Sequence, residues 1–541
     1  MNILVNSYET LKNAILAVNA AEERAVIEFE KGAKIVLKSA ELLEKGELPA
    51  NEGAALPELE DGKLPGNTGI SLLPDIMSKY GVAIEGNGAE IEGDGQGTAL
   101  VLRGEGFVVE RLAIHGFNRA IFICAREEDT KDVTIRNCDF RDMNQGYIMT
   151  GIENSGHVIE KIEIADNFFM APDKIRGGQA KGACACATCL FTALYDRADH
   201  PIRDVALRGV HWARNVMRRN PDGNQFAEGV MAHGAADYNF FGSGDMFVSA
   251  WNEVSDSVFE DLVVEDNDID GVHDIGITLL AGFPARHDCL LQNVTLRRNK
   301  ITYFNTGINV GAANQCCSGD VDRLYARHIV VEDNELIPQV PGPFEPQIGV
   351  MIFTTRCESQ QIRCEDCGME DITVRNNKIG SREVGIAIEA QHGTQELPNP
   401  SKIARCFIRD LKIENNEISG AQLPIRMFAV HMEGRIDDFW GLPVPAWDPS
   451  LPFSTLAEGN SIDDVVIRGN KITEYDTAYT IGAGWACNHG FVKDNTIGRN
   501  IVIEDNVLDK GKKVFSYDRH IMNELLYEDA AGSGNRVLAD L

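Results

Sequence analysis

Short runs in which apolar and polar residues alternate recur along this chain. Val133-Thr134-Ile135-Arg136-Asn137 and Ile162-Glu163-Ile164-Ala165-Asp166-Asn167 come first. Runs 262–267, 294–299, 329–334, 372–377, 411–416, 465–470 and 501–506 repeat the pattern, and 205–209 is a degenerate copy. Alternation at period two marks a strand with one face in a core. A second short strand follows within most repeats, opened by Gly276, Gly307, Gly349 or Gly385, with Pro424 as a variant. No 3.6-residue periodicity runs through these units, so a helical repeat is excluded. Two strands per repeat, stacked repeat on repeat, predict a solenoid of parallel sheets.

Stacking turns each repeat position into a column. The last polar residue of the first strand alternates in sign through Glu265, Arg297, Glu332, Arg375, Glu414, Arg468 and Glu504. Three residues on, Asp268, Lys300, Glu335, Lys378, Glu417 and Lys471 alternate again. Strands ~4.8 Å apart make such opposite charges neighbours, which sets register and is not a site. Between the two columns runs an asparagine ladder of Asn267, Asn299, Asn334, Asn377, Asn416, Asn470 and Asn506, at a tight turn.

These stacked strands and their asparagine ladder resemble the right-handed parallel β-helix proteins of the pectate-lyase-like superfamily. The N-terminus agrees: 8–18 reads as an amphipathic helix and 24–30 as the strand after it, like the helix that caps the open end in that superfamily. The resemblance spans roughly residues 8 to 518. It implies an all-β, right-handed parallel β-helix with an N-terminal capping helix and long loop insertions. The expected organisation is a cap and first coils over 1–79, the β-helix over 80–518 and a C-terminal cap over 519–541. The fold is shared by lyases, hydrolases, epimerases, transferases and adhesins, so it does not fix an activity.

Of 541 residues, 82 are acidic and 51 are Lys or Arg, a formal net charge of −31. That argues against nucleic acid as a partner, and more weakly against an anionic polymer, although a local basic pocket overrides net charge. No apolar run is long enough to span a bilayer, and residues 1–7 lack a basic, then apolar, leader pattern. The expectation is therefore a cytoplasmic protein without a membrane partner, its 13 cysteines reduced. A homo-oligomer is left open.

Candidate chemistry lies on the second strands. Their successive columns read Thr278, Asn309, Met351, Ala387, Arg426, then Leu280, Gly311, Phe353, Glu389, Phe428, then Phe283, Asn314, Arg356, His392, His431. None alternates in sign, and the long insertions leave from the ends of these strands, as they do on the binding face of a solenoid. Glu389, Glu433, Asp438 and Asp274 are the candidate catalytic carboxyls. Arg356, His392, Arg426, His431, Trp440, His233, Asp237 and Asp245 are the candidate substrate-binding residues, the last three from a second polar region over 228–274. Two carboxylates are what hydrolysis of a glycosidic bond requires. Glu389 is expected between Phe353 and Phe428, desolvated, with a raised pKa suited to donating a proton. His392 and His431, at equal offsets from their strand starts, are expected side by side.

The leading expectation is a carbohydrate-active enzyme, a glycoside hydrolase or glycosyl-transferring enzyme using paired carboxylates. A polysaccharide lyase acting on uronates is the alternative, and a non-catalytic adhesion or scaffold β-helix a third. The polygalacturonase pattern of paired Asp with Gly-His-Gly and the Asp-Pro-His motif of the alginate epimerases are both missing from the sequence. Some uronate lyases of the fold use Lys and Arg with calcium; Lys174 with Arg176, or Lys181, are the residues that match, in a different context. Cys184, Cys186 and Cys189 sit in one insertion, Cys316 and Cys317 in another, and Cys357, Cys364 and Cys367 in a third. The Cys364-x-x-Cys367 spacing suits zinc or redox chemistry. A divalent metal is left open as cofactor, with no ligand set assigned.

Overall fold

The computed structural model describes residues 1–46, 71–144, 146–171, 186–193, 201–220, 226–233, 254–282, 287–302, 304–315, 319–338, 347–357, 362–394, 401–433, 455–486, 490–518 and 534–539. They form a right-handed parallel β-helix whose chain divides into two compact units. The first takes Met1–Ala232 and Glu260–Asp274, the second 254–259 and Ile275–Leu541. Among the described residues no helix is long and apolar enough to cross a membrane.

The first unit opens with strand Asn2–Val5 and helix Tyr8–Asn19. Ser7 caps the helix: its hydroxyl accepts from the Thr10 N–H while the Thr10 hydroxyl accepts from the Ser7 N–H, a reciprocal capping box. Leu11, Ala14, Ile15 and Val18 form the buried face. Strand Ala25–Phe29 then pairs in parallel with Asn2–Val5 on one side and with 82–85 on the other. Later coils follow the same rule: Ile162 stands between Val133 and Val210 in adjacent strands. The interior of this stack is aromatic, with Phe140 on Phe169 at 5.2 Å and Phe169 on Trp212 at 6.3 Å between ring centroids.

In the second unit each coil contributes to three sheets. The first-strand sheet stacks Leu290–Arg297, Tyr325–Glu332, Gly368–Arg375, Phe407–Glu414, Val465–Arg468 and Ile501–Glu504. The second-strand sheet stacks Thr306–Gln315, Ile348–Cys357, Val384–Thr394, Leu423–Glu433 and Thr477–Gly482. A third sheet is built from four-residue strands, Gly319–Asp322, Ile362–Glu365, Ser401–Ala404, Thr455–Glu458 and Gly490–Lys493. Sequence reasoning takes that last sheet for insertions, because four residues carry too little alternation to register. Ile329, Val331, Ile372, Val374, Leu411 and Ile413 point inward and are fully buried, as their spacing predicts.

The corners explain the polar half of the repeat. The residue before each ladder asparagine takes a left-handed conformation, at Asp333 (φ 55°), Asn376 (φ 57°) and Asn415 (φ 55°), with a glycine at Gly469 (φ 66°). Asp and Asn tolerate that region better than other side chains. Each following asparagine then bonds to the next coil. The Asn377 side chain accepts from the Asn334 backbone N–H at 2.9 Å and from the Asn334 amide at 3.0 Å. It donates to the Val331 carbonyl at 2.9 Å and to Asn416 at 3.0 Å. The ladder runs from Asn299 to Asn506 in this unit, and in the first unit from Asn167 through Asn215 to Asn267. A second ladder, Asn460 to Asn495 to Asn535, lines the corner between the third and first sheets and has no counterpart in the sequence reading.

The charge columns fall in register as expected. Arg375 reaches Glu332 at 2.6 Å and Arg468 reaches Glu414 at 2.7 Å, each arginine about half exposed. Lys471 stands 3.9 Å from Glu417.

Candidate functional site

Strand pairing on the second sheet brings together residues that are far apart in the chain. Phe353, Glu389 and Phe428 occupy one row across adjacent coils, and Arg356, His392 and His431 occupy another. Arg426 lies opposite Ala387. The small Ala387 side chain leaves room beside it, and the guanidinium leans across to Glu389, Nη2 to Oε1 at 2.7 Å.

Glu389 is the hub. Its side chain has no exposed surface, and those of His392, Arg426 and His431 are at most 9% exposed. His392 presents Nδ1 to Oε2 at 2.6 Å, and His431 presents Nδ1 to Oε1 at 3.4 Å. The two imidazoles stack with centroids 5.8 Å apart, and Phe428 packs on His431 at 5.3 Å. Both rings turn Nδ1 toward the carboxylate, so both Nε2 atoms point away from it.

The expected charge state of Glu389 is corrected here. Its two aromatic neighbours are in place, and burial does push the carboxyl pKa up. Arg426, His431 and His392 together outweigh burial and hold the group well below the usual carboxylate range. Glu389 is therefore a carboxylate at neutral pH and is not poised to donate a proton. Aromatic flanks are visible in the sequence, whereas an arginine leaning in from the adjoining column is not.

Of the other expected site residues, Arg356 is half-buried and pairs in register with His392. Glu433 ends strand Leu423–Glu433 opposite Thr394, His233 ends strand Phe226–His233, and Asp274 lies within Val272–Gly282. The side chains of these three lie outside the described residues, as do Asp438, Trp440, Asp237 and Asp245. Lys174, Arg176 and Lys181 do so too.

Two groups of side chains among the described residues place potential metal-ligating atoms within 4.8 Å of one another. One is Glu389, His392 and His431. There Arg426 Nη2 stands 2.7 Å from Oε1, a fixed positive charge that repels a dication bound to the same carboxylate. The other is Cys364, Cys367 and Cys406. Sequence reasoning singles out the first two cysteines and misses Cys406. The signal was available: Cys406 follows Cys367 by 39 residues, the same step that carries Ile372 to Leu411 in the next coil.

No family model matches the chain, and no curated protein matches it. Solved structures similar to it include the tailspike protein of E. coli bacteriophage HK620 in complex with pentasaccharide, at 11% identity over 94% of this chain and 76% of that one, TM-score 0.40. The A-module of an Azotobacter vinelandii mannuronan C-5 epimerase matches at 13% identity over 95% of each chain, TM-score 0.34. An alginate lyase solved with the ligand G6 matches at 12% identity over 94% of this chain and 88% of that one, TM-score 0.38.

Proposed function

We propose that the cluster around Glu389 is the active centre of a carbohydrate-active enzyme that cleaves a uronate-containing polysaccharide by β-elimination. The observation that carries this reading is the clamped Glu389–His392 pair. A buried carboxylate that accepts Nδ1–H fixes the imidazole tautomer and leaves Nε2 as a base, the logic by which a carboxylate orients a catalytic histidine. Elimination needs such a base for the C5 proton. It also needs cations that neutralise the adjoining carboxylate and so acidify that proton. Arg356, beside His392 in register, is suited to the substrate carboxylate, while Arg426 balances Glu389.

In this mechanism His392 Nε2 removes the C5 proton. The C5–H electron pair becomes the C4–C5 double bond, the C4–O bond breaks, and the departing oxygen takes a proton from His431. Carboxylate-pair hydrolysis, which the sequence favours, would use an ionised Glu389 only as base or nucleophile, with the acid supplied by Glu433 or Asp438, whose side chains lie outside the described residues.

A panel of uronate and neutral glycans, followed both by the ultraviolet absorbance of unsaturated uronate and by new reducing ends, tests the proposal. Elimination yields both signals, and His392→Gln loses them together by at least ~100-fold, the scale of a general base. Reducing ends without absorbance would replace elimination by hydrolysis. Full activity of His392→Gln would remove it from the mechanism.

A further inference from the structure

Three of the buried cysteines in the second unit converge on one point, away from the cluster around Glu389. Cys364 lies on an inward position of the third sheet, in register with Val321 and Ile403 in the neighbouring coils. Two residues later Asp366 turns the chain in a left-handed corner (φ 58°), and Cys367 points inward on the far side of it. One coil on, Arg405 makes the same corner (φ 57°) and Cys406 points inward beside Cys367. All three side chains are fully buried. Cys364 Sγ and Cys367 Sγ are 3.6 Å apart, and the three sulfurs lie within 4.8 Å of one another.

We propose that Cys364, Cys367 and Cys406 form a binding site for a soft divalent metal ion, zinc above all, that ties two adjacent coils together.

Three arguments support the site. Zinc–thiolate bonds of ~2.3 Å in a tetrahedron place sulfurs ~3.8 Å apart, so the 3.6 Å pair admits the ion with little movement, whereas a disulfide would require closing to ~2.05 Å. The placement is also selective. Other described positions in the Cys364 column are Val321, Ile403, Ala457 and Val492, so a thiol enters this apolar column at the one coil where it faces two others. Packing alone would be served by valine or alanine there. Finally, the turn between the first two ligands is held from outside. Glu365 is bonded to Arg363 at 3.0 Å, Lys402 at 3.2 Å and Arg405 at 2.8 Å, and Asp366 to Arg405 at 2.7 Å. Arg405 adjoins Cys406, so these ion pairs fix the spacing between the turn and the third ligand. They also bring positive charge near a site that becomes anionic when metallated.

Thiolate is the ligand for a soft metal, and a Cys-x-x-Cys turn is the usual way to supply two of them. Binding releases protons: one zinc ion and three thiols give a zinc tris-thiolate and three protons. A water molecule would complete the tetrahedron as fourth ligand. The role is structural and independent of the uronate reading.

The test uses full-length protein purified under reducing conditions. Elemental analysis after zinc loading and desalting is expected to give about one tightly held zinc per chain. Loading with cobalt instead is expected to give the intense thiolate-to-cobalt charge-transfer band and the visible bands of tetrahedral cobalt. Cys364→Ser and Cys406→Ser should lose the cobalt spectrum. Cys289→Ser, which precedes a first-sheet strand two coils away from Cys367, should keep it. Wild-type protein that takes up neither metal, or a cobalt spectrum that survives all three substitutions, would overturn the site. If the serine variants fail to fold, protection of three thiols from alkylation by zinc in the wild type decides, and no protection counts against it. Activity on the glycan panel is read separately, so a failed metal site and a failed lyase assignment cannot be mistaken for each other.

Discussion

Glu389→Gln removes one charge and almost no volume from a fully buried ionic group of the second unit. In the parent the carboxylate meets Arg426 at 2.7 Å and His392 at 2.6 Å, with no exposed surface of its own. The variant leaves the Arg426 guanidinium, 4% exposed, without the Glu389 charge. Breaking a buried pair from one side costs about 3–5 kcal/mol. Glutamine retains a polar oxygen facing the guanidinium, which places the expected loss near the lower figure, ~3 kcal/mol or ~100-fold in the folding equilibrium. Chemical denaturation followed by tryptophan fluorescence and far-ultraviolet circular dichroism measures it. The double variant Glu389→Gln/Arg426→Met should recover part of the loss, because the unmatched cation is gone. The pH dependence follows from the direction of the shift. Glu389 titrates lower when folded than in the unfolded chain, where a glutamate has a pKa of ~4.3. Its contribution is thus complete above the unfolded value and is lost as pH falls through the folded value. Glu389→Gln should flatten that acid limb. A single variant as stable as the parent, with an unaltered acid limb, would refute the ionised-hub reading.

Two further perturbations separate the ladders from the site. Asn377→Ala deletes bonds to Asn334, Val331 and Asn416 inside a fully buried corner and should cost ~3 kcal/mol in chemical denaturation. Arg375→Ala breaks a half-exposed pair with Glu332 and should cost about 1 kcal/mol or less, with turnover of whichever glycan the panel identifies unchanged. A large loss of turnover in Arg375→Ala with the fold intact would move the active face to the first sheet.

The fold was legible because every coil repeats the same solution. Val–x–Ile–x–x–Asn states strand, corner and ladder in six residues, and one reading of it carries through to Asn506. The remaining corners were not legible. Arg323 and Arg405 adopt left-handed conformations at φ 55° and 57°, and nothing in that residue type announces it. The stack imposes the corner, and the side chain follows. In the second ladder's corner column, Cys367 and Cys406 stand where later coils carry Asn460 and Asn495, which hides the column from a pattern search. The neighbours of Glu389 were legible from strand offsets, because pairing in a parallel sheet is set by register. Its protonation state was not, because Arg426 belongs to the next column.

That last point gives a physical reason for the location of the candidate site. In the end column of the first sheet Glu332, Arg375, Glu414 and Arg468 form an alternating stack in which each member is paired within its own column. Such a column has nothing left to offer a ligand. On the second sheet Glu389 has Phe353 and Phe428 above and below it, so its own column cannot neutralise it. The charge is met diagonally, by Arg426 from one side and by two imidazoles from the other. Each partner then commits one edge to Glu389, and each imidazole keeps its Nε2 edge directed away. A repeating column stabilises the coil stack, and an interrupted one leaves chemically competent edges uncommitted. This is why Glu389→Gln should lower both stability and turnover while Arg375→Ala lowers neither by much, although each removes one charge from a salt-bridged pair.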